Sequence, residues 1–262
     1  MRGAKNEGVK DTKKYTKVEI LGIPVNRLTM RQAVELVCGA GKKGRAFHVV
    51  TANAEMLYRC RKDRALAEAV KSADLVTADG AGVVLASKLL GAPLPERVAG
   101  FDLMVECLKE AAASSQPVYF LGSHPEVLPR ALANALKSFP GLNIVGCHHG
   151  YFGPDEEEAI LKEICQLKPS LLLVAMGVPK QELWIFRHKE NLPPCAAIGV
   201  GGSFDVLAEK TKRAPLWMQK AYLEWFYRFC REPSRLGRVA LLPLFVFAVF
   251  AQALKRRLRP PL

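Results

Sequence analysis

Three features of this 262-residue chain have the residue types and settings for chemistry on a phosphate-bearing substrate: an aspartate, an arginine and a late glycine cluster. Asp79 stands between Ala78 and Gly80 at the end of a β-branched run, where a carboxylate within hydrogen-bond reach can take a proton from an attacking hydroxyl. Aspartate before glycine is equally an ordinary turn residue. Arg97, in Pro93-Leu94-Pro95-Glu96-Arg97-Val98-Ala99-Gly100, can clamp phosphate oxygens, with an ion pair to Glu96 or another acid as the plain alternative. The run Gly199-Val200-Gly201-Gly202-Ser203-Phe204-Asp205 follows an apolar strand, so its amides either face a diphosphate with no Cβ in the way or form only a tight strand-to-helix turn. Phe204 stands where G-x-G-x-x-G has its third glycine, which lowers the odds of an NAD site.

Other chemistries lack their residues. His148 and His149 are adjacent, so in a strand they would point to opposite faces, and no H-E-x-x-H, Cys/His ligand spacing or D-x-D pair is present. No metal and no cofactor are therefore expected. Neither a G-x-S-x-G elbow nor a G-x-x-x-x-G-K-[ST] loop occurs, which removes the standard hydrolase and NTPase readings.

The elements that must position these residues follow from periodicity. Between residues 18 and 200, short β-branched runs alternate with longer amphipathic stretches, the pattern of a Rossmann-like α/β fold: a mostly parallel sheet with helices on both faces. Strands are expected at 45–50, 74–78, 117–121, 142–147, 171–175 and 196–200. Thr29 with Gln32 reads as a capping box opening a helix. Ligands of open parallel sheets bind beyond the carboxyl ends of the strands, and here those positions are nearly all small, polar or glycine.

Charge divides the chain. Residues 1–17 hold six Lys/Arg against two acids, residues 18–208 twenty against twenty, and residues 209–262 twelve against three. A neutral body argues against nucleic acid as a partner, and a basic end argues for an anionic membrane surface. We therefore expect a disordered basic lead-in (1–17), a catalytic domain (18–208) and a membrane-associating appendage (209–262). Within the last, 215–231 reads as one helix mixing aromatics with arginines, either lying at headgroup level or packed on the core with its arginines snorkelling. The apolar stretch 239–254 would span roughly 24 Å as a helix, short for a bilayer crossing, and Pro243 interrupts it. It reads as an interfacial segment or a buried helix. Seven scattered cysteines with no C-x-x-C pair, and no apolar core in the first residues, point to a reduced, cytoplasmic protein.

Five motifs in order, Thr51-Ala52-Asn53-Ala54-Glu55, Thr77-Ala78-Asp79-Gly80-Ala81-Gly82, Pro95-Glu96-Arg97-Val98-Ala99-Gly100-Phe101-Asp102, Gly177-Val178-Pro179-Lys180-Gln181-Glu182-Leu183-Trp184 and the run from Gly199 to Asp205, resemble the WecG/TagA/CpsF glycosyltransferase family from about residue 18 to about residue 235. Within it the likeness is strongest to the N-acetylmannosaminyltransferases of teichoic-acid linkage synthesis. The resemblance implies an inverting, metal-independent transfer of N-acetylmannosamine from a UDP-sugar donor to N-acetylglucosamine on a lipid-diphosphate acceptor, undecaprenyl diphosphate, at the inner face of the cell membrane. By the same resemblance Asp79 matches the proposed base, and Arg97 the arginine that neutralises the leaving diphosphate. Thr51, Asn53 and Gln181 match polar pocket residues. Gly201, Gly202 and Asp205 are carried as substrate-binding positions, and Arg213, Arg228 and Arg231 as appendage arginines that reach the diphosphate. Loss of 239–262 is expected to weaken vesicle binding while sparing much activity on a water-soluble acceptor. Another UDP-hexose donor, such as the uronic acid, stays open, as does a homo-oligomer. The rival of a different class is a membrane-tethered nucleotide-binding or redox module in which Asp79 is only a turn residue.

Overall fold

The computed structural model describes residues 12, 15–221, 223–231, 237 and 240–258, apart from the side chains of Leu216, Lys220 and Arg228. Six strands form one parallel sheet: β3 (Phe47–Ala52), β4 (Leu75–Ala78), β5 (Pro117–Gly122), β6 (Asn143–His148), β7 (Leu171–Ala175) and β8 (Ala196–Gly199). Their order is β4-β3-β8-β7-β5-β6. All six were expected. The largest shift is at β3, which starts and ends two residues later than its apolar run, because Thr51 and Ala52 continue the ladder opposite Thr77 and Ala78.

Side chains alternate across the sheet, as the two-residue strand period requires. Phe47, Val49, Val118, Phe120 and Ile198 face α1 (Met30–Cys38), α5 (Gly100–Ala113) and α6 (Leu128–Ser138) in one core layer. On the other face, Val50 and Val76 meet α2 (Ala54–Arg59), α3 (Arg64–Lys71) and α4 (Ala81–Leu89). There too, Tyr119, Leu172 and Ala197 meet α7 (Pro154–Leu167) and α8 (Lys180–His188). Helices therefore cover both faces, the Rossmann-like arrangement. The Thr29/Gln32 capping box is present at the start of α1.

A hairpin absent from the sequence reading precedes the sheet: β1 (Lys17–Ile20) pairs antiparallel with β2 (Ile23–Asn26). Its two-residue turn, Leu21 (φ 50°) and Gly22 (φ 82°), has the positive dihedrals that match the twist of paired strands. Leucine is not a turn signal, which is why the hairpin escaped the pattern.

The C-terminal region departs most from expectation. The single helix read over 215–231 is two, α10 (Leu216–Lys220) and α11 (Glu224–Arg231), after the short α9 (Ser203–Leu207). Pro243 does not interrupt the last helix, α12 (Leu241–Leu258). It is the third residue, where the amide that proline lacks would have had no intrahelical partner. Phe245 and Val249 of α12 are buried against the α2/α4 layer, whereas Phe247 and Phe250 are 72% and 54% exposed. The buried-helix reading of this stretch thus holds for the face that carries Phe245 and Val249. Gln252 fastens the helix to the hairpin: its Oε1 accepts from the Leu21 amide (2.9 Å) and its Nε2 donates to the Glu19 carbonyl (3.1 Å). Among the described residues no helix is long and apolar enough to cross a membrane.

Candidate active site

The carboxyl ends of β3 and β4 open into a cavity of about 610 Å³. Its floor is Asn53, Ala54 and Glu55 after β3, with Asp79 to Gly82 after β4. Arg97, Ala99 and Phe101 form one wall, and Glu224, Trp225 and Phe229 of α11 with Leu242, Phe245 and Val246 of α12 form the other.

Asp79 is placed by backbone. Its amide donates to the Ala52 carbonyl (2.8 Å), and Gly80, at φ 103°, turns the chain into α4 in a conformation that a side chain would oppose. The Val98 amide donates to the Ala78 carbonyl (2.9 Å), which lays the arginine-bearing segment beside the aspartate. Gly100 completes the approach: a Cβ there would lie 2.8 Å from Thr51 Oγ1 and 3.4 Å from Asp79 Oδ2. The first turn of α5 thereby abuts the carboxylate, and its amides, which have no partner within the helix, favour negative charge at that spot.

Arg97 is only 15% exposed and pairs with Glu224 Oε2 (3.4 Å) and, at longer range, Asp102 Oδ2 (3.8 Å). Its acids are thus not Glu96, which accepts from the Met30 amide at the head of α1. Arg213 forks onto Asp102 with Nη1 to Oδ1 at 2.6 Å and Nη2 to Oδ2 at 3.2 Å, and its guanidinium lies 4.7 Å over the Phe101 ring. Asp102 therefore gathers two guanidinium groups at the cavity wall.

The remaining expected residues divide. Asn53 lines the cavity and caps α2, its Oδ1 accepting from the Met56 amide at 2.9 Å. Thr51 lies just beneath, 9% exposed, donating to the Gly199 carbonyl (3.2 Å). Gln181 is buried at 2% and spent within the chain. Its Oε1 accepts from the Gly177 and Gly201 amides (3.1 and 2.9 Å), and its Nε2 donates to Glu182 Oε1 (2.7 Å). The Gly201 amide, expected to face a diphosphate, is consumed by that bond. Gly202 begins α9, and Asp205 on α9 sits 3.9 Å from Lys210. None of Thr51, Gln181, Gly201, Gly202 and Asp205 lines the cavity. Arg231 is exposed, with its guanidinium 5.9 Å from the Tyr227 ring. The side chains of Arg228 and Lys220 lie outside the described residues, as do Tyr222, Arg235 and Arg238.

Among the described residues Glu182 is the one buried carboxyl, 1% exposed. Burial pushes it up to about 7, and its Oε2 has no hydrogen-bond partner. β6 ends at His148, so the strand alternation does not extend to His149, and the two ring centroids lie 4.5 Å apart. Among the described residues no group of three His, Cys, Asp or Glu side chains comes together as a metal site.

Residues 18–259 match the model of the glycosyl transferase WecG/TagA/CpsF family. The chain belongs to this family. The match extends through α10, α11 and α12, so the two helices that wall the cavity, α11 and α12, are part of the family's unit. N-acetylglucosaminyldiphosphoundecaprenol N-acetyl-beta-D-mannosaminyltransferases of Staphylococcus aureus strains MW2, NCTC 8325 / PS 47 and MRSA252 are each 37% identical to this glycosyl transferase over 243 residues. The alignments cover 92% of this chain and 95% of each relative. Sequence reasoning did not single out Glu224 and the inner face of α12, which line the cavity of this family member, or Asp102, which pairs with two of its arginines. A signal existed for each acid. Asp102 closes the third motif, and Glu224 is the lone acid between residues 210 and 231.

Proposed function

We propose that this glycosyl transferase moves N-acetylmannosamine, with inversion, from UDP-N-acetylmannosamine to N-acetylglucosamine carried on undecaprenyl diphosphate, in teichoic-acid linkage-unit or related cell-surface polymer synthesis. The observation that carries the reading is the joining of one carboxylate, Asp79, to a guanidinium pair, Arg97 and Arg213, around a single cavity. The names of the Staphylococcus aureus relatives support the sugar and the acceptor.

In this reading Asp79 takes the proton of the acceptor hydroxyl as its oxygen attacks the anomeric carbon, and the bond from that carbon to the diphosphate breaks. The leaving UDP carries negative charge, which Arg97 and Arg213 meet, and Asp102 holds both cations in place beforehand. Glu224 occupies the face of Arg97 that the diphosphate requires, so its ion pair gives way when the donor enters. The aromatic and basic C-terminal helices hold the protein on the inner face of the membrane, where a lipid-linked acceptor is presented. No metal enters the scheme, because the guanidinium groups supply the positive charge.

The test is transfer from a series of UDP-sugars to a synthetic prenyl-diphosphate N-acetylglucosamine, with the anomeric configuration of the product read by NMR. An α-linked product or exclusive use of a donor other than UDP-N-acetylmannosamine would overturn the assignment.

A further inference from the structure

The cavity is lined by two kinds of side chain. Asp79, Arg97 and Arg213 are charged, and Leu85, Trp225, Phe229 and Val246 are apolar or aromatic. The apolar lining does not stop at the cavity mouth. Leu85 of α4, 57% exposed, is followed one turn on by Leu89, 43% exposed. Val246 of α12, 46% exposed, is followed by Phe250 and Leu254, 54% and 59% exposed. Residues four apart share a helix face, so each set is a row that begins in the cavity and continues outward. The two helices are neighbours: a Cβ on Gly82 of α4 would lie 3.7 Å from the Phe245 ring of α12. Both run away from the cavity from their amino-terminal ends, and the eight residues from Val246 to Leu254 extend the α12 row by about 12 Å.

A continuous apolar lane open to water is costly unless something covers it, and here it leads out of the cavity that holds Asp79. That pairing selects its occupant: an amphiphile whose polar head reaches Asp79 and whose hydrocarbon chain follows the lane. We propose that the lane between α4 and α12 binds the proximal isoprenoid units of a prenyl-diphosphate acceptor. Leu85, Val246 and Phe250 then set the preference for lipid-linked over short acceptors. The inference rests on the acceptor named under Proposed function, and it assigns these side chains a part in specificity distinct from membrane attachment. A bilayer or a second copy of the chain would use the outward residue Phe247, 72% exposed, which does not line this cavity.

The experiment uses the full chain in buffer free of vesicles and detergent, with UDP-N-acetylmannosamine and N-acetylglucosamine diphosphates carrying either a methyl or a farnesyl tail. The farnesyl acceptor should have a KM about tenfold lower or more, since each buried methylene contributes a favourable transfer energy. Leu85→Gln and Val246→Gln, at half-exposed helical positions, should each shrink that ratio about threefold, and together bring it near one. Phe247→Gln should hold it. Equal KM values in the parent, an unchanged ratio in the double variant, or equal damage from Phe247→Gln would overturn the lane, and a ratio that changes with protein concentration would assign it to a second copy. A parallel titration with farnesyl diphosphate and with inorganic diphosphate, followed by tryptophan fluorescence, separates the two claims. Tail-dependent binding without transfer sinks the proposed reaction and leaves the lane; transfer without tail dependence in either assay does the reverse.

Discussion

Asp79 and Arg97 reach one cavity because the Val98 amide bonds the Ala78 carbonyl, so the loop carrying the cation is registered on the strand carrying the carboxylate. With the carboxylate as base, Asp79→Asn should retain UDP binding by calorimetry yet lose about two to four orders of magnitude in turnover. A loss under tenfold would remove Asp79 from that role. Activity should persist in excess EDTA, since cation charge is supplied by guanidinium groups; abolition by chelator with rescue by magnesium or manganese would contradict this. Glu182 permits a test by stability. Burial raises it in the folded state to about 7, whereas the unfolded chain titrates near the ordinary carboxylate value. Between those values the folded state binds the extra proton, so the parent loses stability as pH rises from about 4.5 to about 7. Glu182→Gln cannot ionise and should gain on the parent by about 1–3 kcal/mol from pH 5 to pH 8 in urea unfolding; a gap independent of pH would mean that the site ionises freely. At this scale the sequence made legible that Asp79, Asn53 and Arg97 would meet, and all three line one cavity. It did not show that Gln181 and Gly201 bond each other, because a polar side chain beyond a strand serves the chain's own orphan amides as readily as a ligand. Glu224 was unreadable because its partner Arg97 is 127 residues away.

At the scale of elements, the parallel sheet could be read because buried strands are near-continuous apolar runs bounded by turns. The hairpin and the C-terminal helices could not, since their placement is set by contacts across the chain. Gln252 and Leu21 are 231 residues apart. That contact changes the expectation for the tail. Deleting 239–262 removes Phe245 and Val249 from the core and Leu242 and Val246 from the cavity wall. The deletion should therefore cost at least tenfold in kcat/KM even on a water-soluble acceptor, where the sequence alone suggested that activity would be spared. It should also lower Tm by several degrees, as losing two buried side chains implies. Full soluble-acceptor activity in the deletion would show that α12 is an anchor and no part of the site.

At the scale of the whole molecule, residues 209–262 hold twelve Lys/Arg against three acids, while α12 presents Phe247, Phe250 and Leu258 to solvent. Each basic residue near an anionic surface contributes about 1 kcal/mol, and salt screens it. The protein should co-sediment with phosphatidylglycerol vesicles at low salt, release substantially at 1 M salt, and fail to bind once 209–262 is removed. Binding by that deletion at low salt would place the anchor elsewhere. The order of the chain has a consequence for biosynthesis as well. The cavity floor at Asp79 is made long before its wall, with the end of α12 at Leu258 following 179 residues later (258 − 79). At a translation rate of roughly 5–20 residues per second, the half-built site waits about 9–36 s for its lid. During that interval the surface that α12 will cover, Ala54 and Gly82 included, faces water on the nascent chain and is open to chaperones.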